Sequence, residues 1–244
     1  MDNKKVLLIN PAYENREIVY FPLGLGYIAG SCDKHGIEVK CIDVNATRVS
    51  NHQILEMIEN EGFHIVGIGG FLTQVQAVIE LTNLIKSRAK DVIVIIGGIQ
   101  VFGCERFIME TSKADIICVG ESEMLFPELI KALYDGKDIS KIPAIIYRNK
   151  DKVINNEGFP LVPDLDEINF PKYDAFNMET YITQNYHGFP GKRTIDFICS
   201  RGCPYSCTYC INSLKPVKMR YRSPDNIVRE IRLLKGKYKI DDFS

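Results

Sequence analysis

Long apolar runs are missing from this sequence. No stretch of about eighteen apolar residues occurs in the 244 residues, so the sequence predicts no transmembrane segment. The start of the chain has too short an apolar segment for a signal peptide and lacks a small-residue cleavage site. We therefore expect a cytoplasmic protein.

A large net charge is missing too. The formal charge is -1 at pH 7, although residues 191–239 hold 12 basic and 3 acidic side chains. A basic segment can indicate nucleic-acid binding, but these charges surround a cysteine motif and a helix that looks amphipathic. A solvated face or a site for an anionic cofactor explains them better, and we expect no nucleic-acid partner.

The further ligand motifs that usually accompany a cysteine cluster in a zinc site are also missing. The chain has 8 cysteines, but neither a second CxxC-type pair nor His-x3-5-His follows Cys210, so a structural zinc site fits poorly. A reducing cytosol disfavours disulfides. Four scattered cysteines are interpreted as small core residues; they are Cys32, Cys41, Cys104 and Cys118.

The first 135 residues alternate short apolar runs with amphipathic segments. This pattern predicts five β-strands joined by crossover helices, which is typical of an α/β domain with a parallel sheet covered on both faces. Four predicted strands end in Asn10-Pro11, Gly69-Gly70, Gly97-Gly98 and Gly120-Glu121. Ligands of open α/β sheets bind at these carboxyl ends, and glycine lets the backbone approach a bulky ligand. We therefore expect a large ligand face there.

The chain divides into three predicted regions, residues 1–138, 139–190 and 191–244. The second holds a hairpin around Asn149 to Lys152 and a Pro-rich linker that crosses the surface of the first domain. The third begins with a strand in "TIDFICS" and continues to a helix with Ser223 as N-cap and Pro224 in its first turn. One strand, one helix and the start of another strand cannot bury a core, so we expect the chain to stop inside a domain.

The segment "CSRGCPYSCTYC" packs four cysteines into twelve residues. Its spacing differs from the C-x2-C-x2-C of ordinary ferredoxins, but Cys203, Cys207 and Cys210 form C-x3-C-x2-C. Three thiolates on one loop can hold three irons of a 4Fe-4S cluster and leave the fourth iron open. Cys199 lies outside this spacing and is interpreted as a residue at a strand end. Arg201, Arg220 and Arg222 either balance the charge of the cluster, contact the carboxylate of a bound cofactor such as S-adenosylmethionine, or are ordinary exposed basic residues.

The motif "CPYSCTYC" resembles that of the radical S-adenosylmethionine (SAM) superfamily. The resemblance implies that Cys203, Cys207 and Cys210 ligate the cluster and that its open iron chelates SAM. It also implies that Tyr209 lies beside SAM and that reductive cleavage of SAM yields a 5'-deoxyadenosyl radical. An electron donor such as flavodoxin or ferredoxin would be required.

The motifs "LLINPAY", "PLGLGYIAG", "VGIGG", "IIGGIQ" and "VGESE" resemble the cobalamin-binding domain of B12-dependent radical SAM proteins. The resemblance implies a Rossmann-like (flavodoxin-like) five-stranded parallel sheet followed by the start of a radical SAM (β/α) partial barrel. The cobalamin neighbours it implies are Asn10, Pro11, Leu23, Gly24, Thr73, Gly97, Gly98, Gln100, Gly120 and Glu121. The loop after the first strand has no histidine, so cobalamin would lack a histidine lower ligand. His35 lies elsewhere and is not interpreted as a cobalt ligand.

The function implied is that of a cobalamin-dependent radical SAM enzyme, represented by its N-terminal part and inactive as this part alone. Its reaction would be methyl transfer to an unactivated carbon of an unidentified small-molecule substrate. Two alternatives remain open at this point. One is a non-catalytic cobalamin-binding module, and the other is a radical SAM enzyme whose first domain holds no cobalamin.

Overall fold

The computed structural model describes residues 4–13, 19–150, 152–184, 191–210 and 217–244. Its main sheet has seven strands in the order β2-β1-β3-β4-β5-β6-β7. Their bounds are β1 Lys5–Asn10, β2 Glu38–Asp43, β3 Ile65–Ile68, β4 Ile93–Ile96, β5 Ile116–Cys118, β6 Ile145–Asn149 and β7 Lys152–Asn156. The first five pair in parallel, and the order 2-1-3-4-5 is that of flavodoxin-like folds. The predicted α/β fold with a parallel sheet is confirmed.

The predicted hairpin is present and extends this sheet. Strand β6 runs antiparallel to β5, and β7 pairs antiparallel with β6 from Ile145↔Asn156 to Asn149↔Lys152. The turn includes Lys150, which has a φ of 54°. The hairpin therefore adds two antiparallel strands to the five parallel ones.

Six helices accompany the parallel strands. They are α1 Leu23–Lys34, α2 Val44–Thr47, α3 Asn51–Glu61, α4 Val75–Arg88, α5 Glu105–Thr111 and α6 Leu125–Tyr134. Sequence accounts for the ends of α3, because Ser50 and Gln53 form a capping box and Gly62 ends the helix with a φ of 64°. None of the described helices is long and apolar enough to span a bilayer.

The helices lie on both faces of the sheet because alternate strand residues point to opposite sides. Leu7 and Ile9 of β1 pack in a core with buried residues of α3, α4 and α5. Val6 and Leu8 pack in a second core with residues of α1 and α6. The strands are therefore apolar on both faces, which is why they read as continuous apolar runs.

The four scattered cysteines pack in these cores, as predicted. Cys32 and Cys118 are buried, whereas Cys41 and Cys104 are half-buried. Burial raises the pKa of the Cys32 and Cys118 thiols to about 12, so both are protonated near neutral pH. They are packing residues.

The linker crosses α1, as the sequence predicts. The Lys172 N–H donates to the carbonyl of Gly26 over 2.9 Å, and Asn169 Nδ2 donates to the carbonyl of Gly30 over 3.2 Å. A Cβ built on Gly30 would lie only 2.3 Å from the carbonyl oxygen of Phe170. Glycine on this face of α1 is therefore required for the linker to approach.

The remaining elements are α7 Glu179–Ile182, β8 Thr194–Ile195, β9 Ser200–Arg201, β10 Arg220–Tyr221, α8 Pro224–Tyr238 and β11 Asp242–Phe243. Strand β11 pairs with β8 in parallel, and Ser223 caps α8 by accepting from the Asn226 N–H, so the final strand and the capped helix are confirmed. The single strand predicted in "TIDFICS" is instead two short strands. They have different partners, because β8 pairs with β11 whereas β9 pairs with β10.

Candidate functional site: a cavity at the carboxyl ends of the strands

A cavity of about 1300 Å³ opens at the carboxyl ends of the parallel strands. Three parts of the chain form its walls: the strand-end loops, the linker at Phe159 and Leu161, and the second unit. The residues from the second unit are Asp196, Ile198, Arg201, Gly202, Cys203 and Val217. The cysteine segment and the strand ends therefore face the same space.

Glycines keep the cavity open at the strand ends. A Cβ built on Gly24 or Gly97 meets no atom within 4 Å, although both residues line the cavity. Gly98 has a φ of 91°, and a Cβ there would lie 2.9 Å from the carbonyl oxygen of Gly70. Glycine at position 98 is thus needed by the backbone, whereas Gly24 and Gly97 leave room for a ligand.

A buried polar network supports the loops beneath the cavity. The carboxylate of Asp43 accepts from Asn10 Nδ2 at 2.9 Å, from the Asn45 N–H at 3.0 Å and from Tyr181 Oη at 3.0 Å. Gln74 Nε2 donates to Asn10 Oδ1 over 3.2 Å. Burial raises the pKa of the Asp43 carboxyl, and hydrogen bonds from Asn45, Tyr181 and Asn10 oppose that rise. The network fixes Asn10, which faces the cavity.

Two glutamates after β5 pair with arginines that flank the cysteine segment. Arg220 Nη2 lies 2.6 Å from Glu121 Oε1, and Arg201 Nη2 lies 2.6 Å from Glu123 Oε1. Burial disfavours the charged form of Glu121, but the bond from Arg220, the Val162 N–H and the charge of Arg201 outweigh it and lower the pKa of its carboxyl. Arg222 pairs with the buried Glu230 of α8. All three arginines thus have carboxylate partners within the chain.

The three predicted cluster ligands lie on one segment between β9 and β10. Cys203 lines the cavity, and the Cys210 N–H donates to the carbonyl of Cys207 over 3.0 Å in a turn. None of these three described cysteines is in a disulfide. Among the described residues, no three Cys, His, Asp or Glu side chains come together as a metal site. The assignment of Cys203, Cys207 and Cys210 as ligands stays a prediction.

Most of the predicted cobalamin neighbours line the cavity. They are Asn10, Leu23, Gly24, Thr73, Gly97, Gly98, Gly120 and Glu121. Pro11 is buried outside the lining, and its carbonyl accepts from Asn45 Nδ2 over 2.9 Å. The side chain of Gln100 lies outside the described residues. Tyr209 is 91% exposed and is not part of the lining.

Sequence reasoning missed several lining residues. Tyr13, Tyr20, Phe71, Phe159, Leu161 and Asp196 lie in the wall, and their only signal was proximity to a strand end or to the linker. Of the described lining residues, none is histidine. His35 follows α1, where its Nδ1 lies 2.8 Å from the carbonyl of Ser31. This position agrees with the interpretation that His35 is not a cobalt ligand.

Comparison with protein families identifies the first domain. Residues 11–130 match the family model of the B12 binding domain. The chain contains a B12 binding domain. The matched segment contains most of the residues that line the cavity, from Tyr13 to Phe126, and residues of β1, the linker and the second unit complete the wall.

The relatives of this chain include methyltransferases and cyclases. It is 31% identical to an uncharacterized methyltransferase of Pyrococcus horikoshii, over 98% of this chain and 52% of the relative. It is 28% identical to the cytidylyl-2-hydroxyethylphosphonate methyltransferase of Streptomyces wedmorensis, over 98% and 54%. An anaerobic magnesium-protoporphyrin IX monomethyl ester cyclase of Synechocystis is 26% identical, over 86% and 42%. The chain spans about half the length of these relatives.

Solved structures share the fold of the chain. The radical SAM methyltransferase TsrM of Kitasatospora setae, solved with cobalamin and a [4Fe-4S] cluster, superposes with a TM-score of 0.71 at 18% identity, over 99% of this chain and 47% of that one. The cobalamin-dependent radical enzyme OxsB, solved with aqua-cobalamin and S-adenosylmethionine, gives 0.78 at 23% identity, over 98% and 33%. The likeness includes the second unit and not only the B12 binding domain.

Proposed function

We propose that this chain holds cobalamin and a SAM-binding 4Fe-4S cluster in a cobalamin-dependent radical SAM enzyme. One observation carries the proposal: Cys203 of the C-x3-C-x2-C segment lines the same cavity as the strand ends of the B12 binding domain. A corrin and a cluster that react through a common substrate must lie close together, and a shared cavity meets this requirement.

The residues of the cavity fit a large, mostly apolar ligand. Gly24 and Gly97 leave open space where side chains would intrude, and Phe126 and Phe159 supply apolar wall. Asn10 presents a polar group held by Asp43 and Gln74. Because no described lining residue is histidine, the chain would hold cobalamin without a histidine ligand from this wall.

The donor set of the cysteine segment fits a cluster with one open iron. Cys203, Cys207 and Cys210 would hold three irons, and none of the three is in a disulfide. When bound, the cofactors supply a 5'-deoxyadenosyl radical and a transferable methyl group. The task of the chain is then to orient the cofactors and to exclude water and oxygen. We further propose that flavodoxin or ferredoxin supplies the electron.

Methyl transfer to an unactivated carbon of a small molecule is the reaction we propose. Methyltransferases of Pyrococcus horikoshii and Streptomyces wedmorensis align with 98% of the chain, which supports methyl transfer. The relatives also include cyclases, so the test of the assignment must address the cofactors before the substrate.

Titration of the anaerobically purified chain with hydroxocobalamin tests the cobalamin assignment. We expect the absorbance of cobalamin to change on binding, and we expect Gly97→Leu to weaken binding at least about tenfold, because the added side chain enters open space in the cavity. Gly236→Leu is the matched control, since Gly236 lies in α8 and its Cβ position is equally open. An unchanged cobalamin spectrum with the wild-type chain would overturn the assignment.

A further inference from the structure

Two positive charges face each other beside the cluster cysteines. Strand β9 precedes Cys203 and strand β10 follows Cys210 along the chain, and their register places Arg201 directly opposite Arg220. Like charges at directly opposite positions of an antiparallel pair repel each other. The two arginine side chains are also largely buried, at 15% and 14% exposed. A two-residue strand pair cannot offset that repulsion by itself.

The opposing charges come from the B12 binding domain. Glu121 receives both terminal nitrogens of Arg220, at 2.7 and 2.6 Å, and it also lies 3.7 Å from Arg201. Glu123 accepts from Arg201 and is only 5% exposed. Such charge-assisted bonds, one of them bidentate, are the strong class of hydrogen bond in a protein.

Neighbouring groups hold the carboxylate of Glu121 and the backbone of Glu123 in place. The Val162 N–H donates to Glu121 Oε2 over 2.6 Å, and Ser31 Oγ donates to the carbonyl of Glu123 over 2.5 Å. The guanidinium of Arg201 also lies 5.1 Å from the centre of the Tyr27 ring of α1. The linker therefore fixes the Glu121 carboxylate, and the first domain fixes the backbone of Glu123, independently of the cysteine segment.

We propose that Glu121 and Glu123 are positioning residues that neutralise Arg201 and Arg220 and so order the cysteine segment against the cavity. The proposed function supplies only the purpose of this order, namely to keep the cysteines that would hold a cluster beside the cavity that would hold cobalamin. The four residues form an ion-pair latch, and the latch makes the strand pair β9–β10 depend on contact with the B12 binding domain. Arg201, Glu121 and Glu123 also line the cavity, beside Cys203 and the strand ends.

Hydrogen exchange of the full chain without cofactors tests the latch directly. We expect Glu121→Gln/Glu123→Gln to raise amide exchange at least about tenfold in peptides covering residues 200–210 and 217–222, because each arginine then loses its countercharge. Peptides from β1, β3 and β4 should keep their wild-type protection. Glu128→Gln is the matched control, since it removes one carboxylate from an exposed position of α6.

A second pair of variants separates the latch from general damage. Glu123→Gln leaves Arg201 without its closest partner, whereas Glu123→Gln/Arg201→Gln also removes the uncompensated charge. We expect the double variant to regain part of the protection that the single variant loses, so that the two effects are not additive. Wild-type exchange in Glu121→Gln/Glu123→Gln, equal loss of protection throughout the β-sheet, or strict additivity would each overturn the proposal.

The outcome is independent of whether the cofactor assignment holds. Hydrogen exchange is measured without cobalamin or iron. A negative exchange result would therefore overturn the latch without affecting the cobalamin assignment, which the hydroxocobalamin titration tests. Conversely, an unchanged cobalamin spectrum with a positive exchange result would keep the latch and remove only its proposed purpose.

Discussion

At the scale of single residues, the sequence located Asn10 but not the group that holds it. Asn10 follows an apolar strand, and strand ends of α/β sheets are where ligands bind. Asp43, at the end of the neighbouring strand, accepts from Asn10 Nδ2 across 33 positions of the chain. No local pattern encodes this contact, because it depends on the order of β1 and β2 in the sheet. Gln74 was not predicted for a similar reason, because its contact with Asn10 depends on the pairing of β3 with β1.

The cysteine segment offers a prediction at the same scale. We expect Cys203→Ala to abolish the brown visible absorption of the chain reconstituted anaerobically with iron and sulfide, because a cluster held by three thiolates would lose one ligand. Cys199→Ala is the matched variant and should retain the absorption. The Cys199 thiol is exposed, and its backbone carbonyl accepts from the Arg222 N–H over 2.9 Å. Equal loss in both variants would contradict the three-ligand assignment.

At the scale of elements, buried strands were predictable and α8 was predictable only in part. Ser223 marked the start of α8 correctly. The apolar residues of the helix, however, do not make up its whole buried face. Ile227 and Ile231 are half-buried, whereas the polar Asn226 and Glu230 are buried beside Leu234. The reason is Arg222, which lies just before the helix and pairs with Glu230. Apolar periodicity cannot reveal a face that packs around a buried ion pair.

The ion pair of Arg222 and Glu230 leads to a prediction about the free energy of unfolding. We expect Glu230→Leu to lower the free energy of unfolding by about 3–5 kcal/mol, because Arg222 would stay buried without its partner. Tyr173 Oη, which donates to Glu230 Oε1 over 2.6 Å, would lose its acceptor as well. Arg222→Met/Glu230→Leu should be close to wild type.

Urea unfolding followed by circular dichroism measures the differences between these variants. Arg232→Leu, an exposed change on the same helix, serves as the control. A Glu230→Leu protein as stable as the control would contradict the assigned cost of burying an unpaired arginine.

At the scale of the whole molecule, the sequence indicated the parts but not how they join. The third core combines Phe21, Tyr181 and Leu234, which come from before α1, from α7 and from α8. Phe21 contacts the rings of Tyr173 and Tyr181 at 5.2 and 5.4 Å. The second unit, too small to bury a core alone, thus completes one with residues that precede α1. Family resemblance gave the order of the motifs, but only tertiary packing brings Cys203 to the cavity.

Acid provides a test of how the two units are joined. The pKa of the Glu121 carboxyl lies below its usual value of 4.5, so the folded state binds this proton less tightly than the unfolded state does. The stability that Glu121 contributes is therefore fully present above about pH 4.5 and is lost as the pH falls through the lower, folded pKa. We expect wild type to lose more of its free energy of unfolding than Glu121→Gln does over this range.

Urea unfolding at a series of pH values from neutral to acid measures that difference, with Glu128→Gln as the exposed control. Other carboxylates with lowered pKa, such as Asp135 and Asp166, contribute equally to wild type and variant and so cancel in the comparison. Parallel pH profiles for wild type and Glu121→Gln would mean that the bonds from Arg220 and Val162 do not stabilise the folded state. The join between the units would then rest on the other contacts, among them the apolar core around Phe21 and Tyr181 and the pair of Arg201 with Glu123.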